Sequence, residues 1–225
     1  MADFVIAPPR PAALAVAGSR ARFPVGRVFC IGRNYRWSAE EPAPQEMPAW
    51  FMKPATAVVE AEGVIPYPPG THDFCHEIEL VVAIGLGGQD IVPAAVEQDH
   101  IWGYAAGLDL TRRDLQQTAK RTGGPWEAAK AFDASAPCTP LVPASVCGHP
   151  RQGAVWLDVN GIERQRDDLA SLLWPVPALA AMLSRSVALR PGDLIFTGTP
   201  AGVGPLQPGD TVRAACCCRA LEHSR

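Results

Sequence analysis

His76-Glu77-Ile78-Glu79-Leu80-Val81-Val82-Ala83-Ile84 is the stretch on which the reading of this chain turns. Its β-branched run predicts a strand. Successive side chains on a strand alternate between faces, so Glu77 and Glu79 share one face while Ile78, Leu80 and Val82 share the other. Two carboxylates side by side in an apolar segment are costly unless a cation or a shared proton neutralises them. An all-oxygen donor set suits a hard ion such as Mg²⁺ or Mn²⁺ rather than zinc, and such sites usually recruit a third carboxylate from elsewhere in the chain. The plainer reading is an exposed strand edge with two solvated glutamates, and the stretch alone leaves both readings open.

Working outward, the apolar segment 102–108 delivers Asp109 at its end. Asp109 is the natural third ligand, because it is the only acid between the helix expected before Trp102 and the basic pair Arg112-Arg113. Residues 28–32 read as a short buried strand followed by the polar Arg33-Asn34-Tyr35. The proline-rich segment 36–48, carrying Ser38, Glu40 and Glu41, cannot sustain a helix beyond Glu41 and reads either as a lid or as an ordinary surface loop. Helices are expected at 93–97, at 114–120 before Gly123-Gly124-Pro125, and at 177–184. Lys130 is a lone cation among small and apolar neighbours, and the local residues favour a snorkelling side chain over one aimed at an anion. Residues 155–159 and 162–166 flank Asn160-Gly161, the signal of a hairpin closed by a type I′ turn. The glycines of 198–204 follow neither the G-x-G-x-x-G nor the Walker spacing, which argues against a nucleotide site.

The 225 residues fit one large domain or two small ones, and the 48% apolar content is ample for a core. With 23 Pro and 20 Gly the chain is rich in turns, which favours short strands over long helices. A net charge of -3 offers no basic footprint for nucleic acid. No apolar run reaches the roughly 18 residues of a membrane helix. Asp3 and the early prolines do not resemble a signal peptide. The seven cysteines contain no C-x-x-C pair, so reduced thiols in a cytoplasmic protein are expected.

Taken together and in order, several motifs become recognisable. They are Cys30-Ile31-Gly32-Arg33-Asn34-Tyr35, Phe51-Met52-Lys53-Pro54, His76-Glu77-Ile78-Glu79-Leu80, Asp109-Leu110-Thr111-Arg112-Arg113-Asp114-Leu115-Gln116 and Ala129-Lys130-Ala131-Phe132-Asp133. Val159-Asn160-Gly161, Pro191-Gly192-Asp193 and Thr197-Gly198-Thr199-Pro200-Ala201-Gly202-Val203-Gly204 complete the set. They resemble the successive motifs of the fumarylacetoacetate hydrolase family over roughly residues 28–213, and within it the small bacterial acylpyruvate hydrolases acting on fumarylpyruvate.

The resemblance implies a mostly β (α+β) fold: a rolled, mixed β-sheet with a few short helices, spanning 28–225 as one catalytic domain and assembled as a homodimer, while the Pro-, Ala- and Arg-rich residues before it, an N-terminal arm of 1–27, read as an extended arm or a small edge strand. It implies Mg²⁺ or Mn²⁺ held by Glu77, Glu79 and Asp109, with Gln116 and Lys130 contacting a 2-oxo acid substrate and Arg33, Tyr35 and Thr199 lining its pocket. A 3-acylpyruvate can chelate a divalent ion, and its C–C cleavage expels an enolate that the ion and Lys130 can stabilise. The family activates water with a histidine and a glutamate three residues on. Ser38 stands at the histidine's position and Glu41 at the acid's. A serine is no base near neutral pH, which leaves Glu41 or Glu40 to act alone. It also favours alternatives that need no activated water: oxaloacetate decarboxylation, or a catalytically impaired member that keeps the metal or senses a 2-oxo acid. Near the C-terminus, Cys216-Cys217-Cys218 stands where the family closes with one more strand, so a lost strand and an exposed edge are expected there.

Overall fold

The apolar run after Glu77 forms the middle of a mixed sheet in the computed structural model, which describes residues 4–36 and 48–217 and the backbone of 219–222. A hairpin of β1 (Ala13–Ala15) and β2 (Arg22–Pro24) leads into β3 (Val28–Ile31) and β4 (Trp50–Lys53). Then come β5 (Val58–Glu60), β6 (Phe74–His76) and β7 (Ile78–Ile84). Helix α1 (Pro93–Ala95) continues into a π-helical turn and delivers β8 (Ile101–Leu108) and β9 (Thr111–Arg112). Helices α2 (Arg113–Thr122) and α3 (Glu127–Lys130) precede β10 (Ala136–Cys138), β11 (Val142–Pro143) and α4 (Ala144–Cys147). The remaining elements are β12 (Ala154–Val159), β13 (Ile162–Asp168), α5 (Val176–Ser186), β14 (Leu194–Phe196), β15 (Gly204–Leu206), β16 (Val212–Cys216) and β17 (Arg219–Glu222).

The main sheet has the strand order β4-β3-β14-β7-β8-β10-β5, with β11 also on β8. Neighbours run antiparallel except β3 with β14 and β5 with β10. A second sheet, β13-β12-β16-β17, and a third, β15-β6-β9, complete the fold. Both faces of β7 are covered, and its alternation sorts the core. Ile78, Leu80, Val82 and Ile84 pack with Leu157, Leu179 and Leu183 on one side. Val81 and Ala83 pack with Leu14, Phe23, Val28 and Phe196 on the other. Leu14, Val16, Phe23 and Val25 of the first hairpin are therefore part of a core, in keeping with the small edge strand that is one of the two readings of this segment. Among the described residues no helix is long and apolar enough to cross a membrane.

The local signals translate directly. Asn160 and Gly161 adopt φ of 55° and 76° between β12 and β13, the positive pair a type I′ turn requires. Helix α2 stops against Gly123, which is left-handed at φ 69°. One expectation is corrected: Arg219–Glu222 does form a closing strand, paired antiparallel with β16 beyond a turn at Cys217. Cys216 continues the in-out alternation of β16 with its side chain buried, so a small thiol substitutes for an aliphatic residue without ending the strand.

Candidate metal centre

The backbone brings three carboxylates together before any ion is considered. Glu77 lies in the one-residue gap between β6 and β7, and Asp109 follows the last residue of β8. The Asp109 N–H donates to Glu77 O at 2.8 Å, which extends the β7/β8 ladder by one rung and makes the two residues cross-strand neighbours. Glu79, two residues on, points to the same side. All three are buried, and one oxygen from each lies within 4.8 Å of the others. Glu79 Oε2 accepts the Gly198 N–H at 2.7 Å. Gly198 sits at φ 100°, where a Cβ would come within 2.7 Å of Asn34 Cβ, so only glycine can bring this N–H to the carboxylate.

Two buried lysines face the triad. Lys130 Nζ donates to Glu77 Oε2 at 2.7 Å and Asp109 Oδ2 at 2.6 Å. Lys53 Nζ lies 2.9 Å from Asp109 Oδ1 and donates to Leu110 O at 3.2 Å and to Lys130 O. The Lys53–Asp109 approach is an ion pair at an angle that leaves Asp109 Oδ1 without a regular hydrogen bond. Arg113 Nη1 reaches Glu77 Oε1 at 3.5 Å and donates to Gln116 Oε1 at 2.7 Å.

The charges follow from these contacts. Burial pushes the Glu79 carboxyl well up, and Asp109 and Glu77 push it further against the Gly198 N–H and Lys130. Glu77 is also raised, by burial first, with Lys130 opposing. Asp109 is pulled below its ordinary value although burial acts the other way, because Lys130 and Lys53 together outweigh it. For Lys130 burial favours the neutral amine, but Asp109 and Glu77 overcome it and raise its pKa, so it is an ammonium ion. Lys53, Lys130 and, at 3.5 Å, Arg113 all lie against Asp109 and Glu77, which leaves Glu79 without a close cation among the described residues. An all-carboxylate donor set, one carboxyl group with no cation of its own and a buried acceptor atom fit a hard divalent cation such as Mg²⁺ or Mn²⁺.

The structure brings Glu77, Glu79, Asp109 and Lys130 into one cluster and overturns the local reading of Lys130 as snorkelling: its side chain is 2% exposed and its ammonium meets Glu77 and Asp109. Gln116, in the first turn of α2, is buried and tied to the cluster through Arg113. Thr199 is buried one residue from Gly198, and its hydroxyl accepts from Gln165 Nε2 at 2.8 Å. Tyr35 is buried with its hydroxyl unpartnered among the described residues. Arg33 is exposed and left-handed at φ 56°. Ser38, Glu40 and Glu41 lie outside the described residues. The sequence reading missed Lys53, although its motif was in view, because a lysine ending an apolar strand gives no local sign of its target.

The sequence pattern of the fumarylacetoacetate (FAA) hydrolase C-terminal family matches residues 27–221. The chain belongs to that family. A fumarylpyruvate hydrolase from Pseudomonas aeruginosa, solved in complex with Mn²⁺ and pyruvate, is 46% identical over 98% of this chain and 99% of its own, with a TM-score of 0.93. The oxaloacetate tautomerase YcgM of Escherichia coli is 39% identical over 86% of this chain and 89% of its own length. The mitochondrial oxaloacetate tautomerase of Homo sapiens is 38% identical over 83% of this chain and 85% of its own.

Proposed function

We propose that this protein is a divalent-metal-dependent hydrolase that cleaves a C–C bond of a 3-acylpyruvate such as fumarylpyruvate, working as a cytoplasmic homodimer. The observation that carries the reading is the buried Glu77–Glu79–Asp109 cluster with Lys130 bridging two of its members. The likeness to a fumarylpyruvate hydrolase that holds Mn²⁺ and pyruvate supports it.

Glu77, Glu79 and Asp109 would hold Mg²⁺ or Mn²⁺. When bound, such an ion supplies a Lewis acid for the carboxylate and adjacent keto oxygen of a 2-oxo acid. Water adds to the acyl carbonyl, the C–C bond breaks toward the pyruvate half, and its electron pair becomes an enolate that takes up a proton. Glu77 and Asp109 favour the charged form of Lys130. Its role is electrostatic: a fixed ammonium, held from Nζ by Glu77 and Asp109, stabilises the enolate oxygen as negative charge develops there. Gln116, Arg33, Tyr35 and Thr199 orient the substrate, and Glu41 takes the proton from water, with Ser38 at the sequence position of the family's histidine.

A second reading keeps the enolate and drops the water: keto–enol exchange or decarboxylation of oxaloacetate. Ser38 and the oxaloacetate tautomerases among the relatives favour it. Purified protein with Mg²⁺ or Mn²⁺ is assayed on fumarylpyruvate and on oxaloacetate. Hydrolysis abolished by Glu41→Gln supports the first reading, and a Ser38→His variant should then hydrolyse faster. Turnover of oxaloacetate alone, indifferent to Glu41→Gln and Ser38→His, would establish the second.

A further inference from the structure

Gln165 is buried at 1% exposure on β13, although Arg164 and Arg166 on either side are exposed. Its amide spans two parts of the site. Oε1 accepts from the Ile78 N–H at 3.2 Å and lies 2.9 Å from His76 Nδ1, so it grips the strand that carries Glu77 and Glu79. Nε2 donates to Thr199 Oγ1 at 2.8 Å and Pro200 O at 3.0 Å, in the loop whose Gly198 N–H binds Glu79.

The direction of every one of these bonds is determined. A backbone N–H can only donate and a backbone carbonyl can only accept, so Ile78 and Pro200 forbid turning the amide round. His76 therefore donates from Nδ1. Thr199 Oγ1 accepts from Gln165, which leaves its one hydroxyl proton for a different acceptor. A carboxylate accepts only, whereas an amide or alcohol in its place would bring donors of its own.

We infer that Gln165 is a positioning residue for the substrate: by donating to Thr199 Oγ1 it turns the Thr199 hydroxyl into a dedicated donor to the carboxylate of the bound 2-oxo acid, and it holds that loop in register with the metal-ligand strand. This rests on the 2-oxo acid reading above. It makes Gln165 and Thr199 one device, so their effects are coupled.

Titration calorimetry of Mn²⁺-loaded protein with oxalate, a stable mimic of a 2-oxo acid, tests it through a double-mutant cycle. Thr199→Val and Gln165→Met should each weaken oxalate about tenfold or more, the worth of a hydrogen bond to a charged group. Thr199→Ser should retain most of the affinity. In the Thr199→Val background, Gln165→Met should cost little more. Gln165→Glu keeps the bonds to Ile78 and His76 while setting an oxygen against Thr199, so it carries the same test if Gln165→Met does not fold. Equal losses from the Gln165 variant in both backgrounds, or no loss at all, would overturn the inference. Wild-type protein that takes up Mn²⁺ but not oxalate would remove the 2-oxo acid reading itself, and this inference with it.

Discussion

Among the described residues two regions bury carboxylates, and they differ in how the charge is balanced. Where β3 and β14 begin, Asp193 is fully buried against Arg27, whose Nε and Nη2 donate to its two oxygens at 3.0 and 2.6 Å. The Arg190 N–H adds a third bond at 2.7 Å. One anion meets one planar cation, and both carboxylate oxygens are satisfied. At the far end of β7, two lysines and the more distant Arg113 all face Glu77 and Asp109, none reaches Glu79, and Asp109 Oδ1 lacks a regular hydrogen bond. The first arrangement is complete as it stands and ties the sheet together. The second is complete only with another cation. Burial of an acid is therefore a poor guide to function, while local imbalance among buried acids is a good one.

The contrast can be broken from either side. The largest effect is expected at the unbalanced centre. Asp109→Asn should weaken Mn²⁺ binding at least about a hundredfold, and in metal-free protein it also strips both buried lysines of their shared partner, costing about 3–5 kcal/mol. Glu79→Gln should weaken Mn²⁺ similarly, yet leave metal-free protein as stable as wild type or more so, because a neutral side chain is what burial, Asp109 and Glu77 favour at that position. Calorimetry for the ion and thermal melts in chelator separate the two, and a large loss of metal-free stability in Glu79→Gln would contradict the charge assignment. At the balanced pair, Asp193→Asn should cost about 2–3 kcal/mol, less than a fully dry pair because Arg27 is 30% exposed, with Mn²⁺ affinity unchanged.

A smaller effect per step should appear with pH. The Glu79 carboxyl is raised above its ordinary 4.5, so its contribution to metal-free stability is present below that value and is lost as pH rises through the higher native one. An ion must displace that proton. Mn²⁺ affinity should therefore rise with pH, by at most about tenfold per unit while one proton is released, and fall flat once Glu79 is ionised. Glu79→Gln should flatten the slope to the part that the raised Glu77 carboxyl contributes.

The smallest effect is expected at Asp114, where α2 begins. Its carboxylate accepts from Thr71 Oγ1, the His72 N–H and the Leu115 N–H. Burial acts upward on this carboxyl, but those bonds outweigh it and leave it below the ordinary 3.8. Asp114→Asn should cost about 1 kcal/mol near neutral pH. Because the native value is depressed, the difference from wild type should disappear as pH falls below 3.8 through that lower value. Chemical denaturation at two pH values checks both statements.

Much of the centre was legible because it depends on short periods. Glu77 and Glu79 share a face for the same reason that Ile78 and Leu80 share the other, and Asp109 stands where an apolar strand stops. The Asn160-Gly161 turn and the Gly123 helix stop are equally local. Legibility ended where a side chain's partner is distant in the chain. Gln165 sits in a run of charged residues and carries no mark of its partners 34 to 89 residues away. The cysteine triplet read as a break, but the backbone of 219–222 still found its hydrogen-bonding edge on β16.

The sequence by itself determined which residues alternate, turn and pair as neighbours, and through these the metal-facing side of β7 and the acids at its end, because such choices are settled within a few residues by sterics and the strand period. Only the tertiary structure decided where the long cations point. Lys130 meets Glu77 and Asp109 across 53 and 21 residues of chain. A lysine in an apolar segment can reach water or an anion equally well, and what settles the choice is whether the packed fold leaves it a path to solvent or sets a carboxylate beside it.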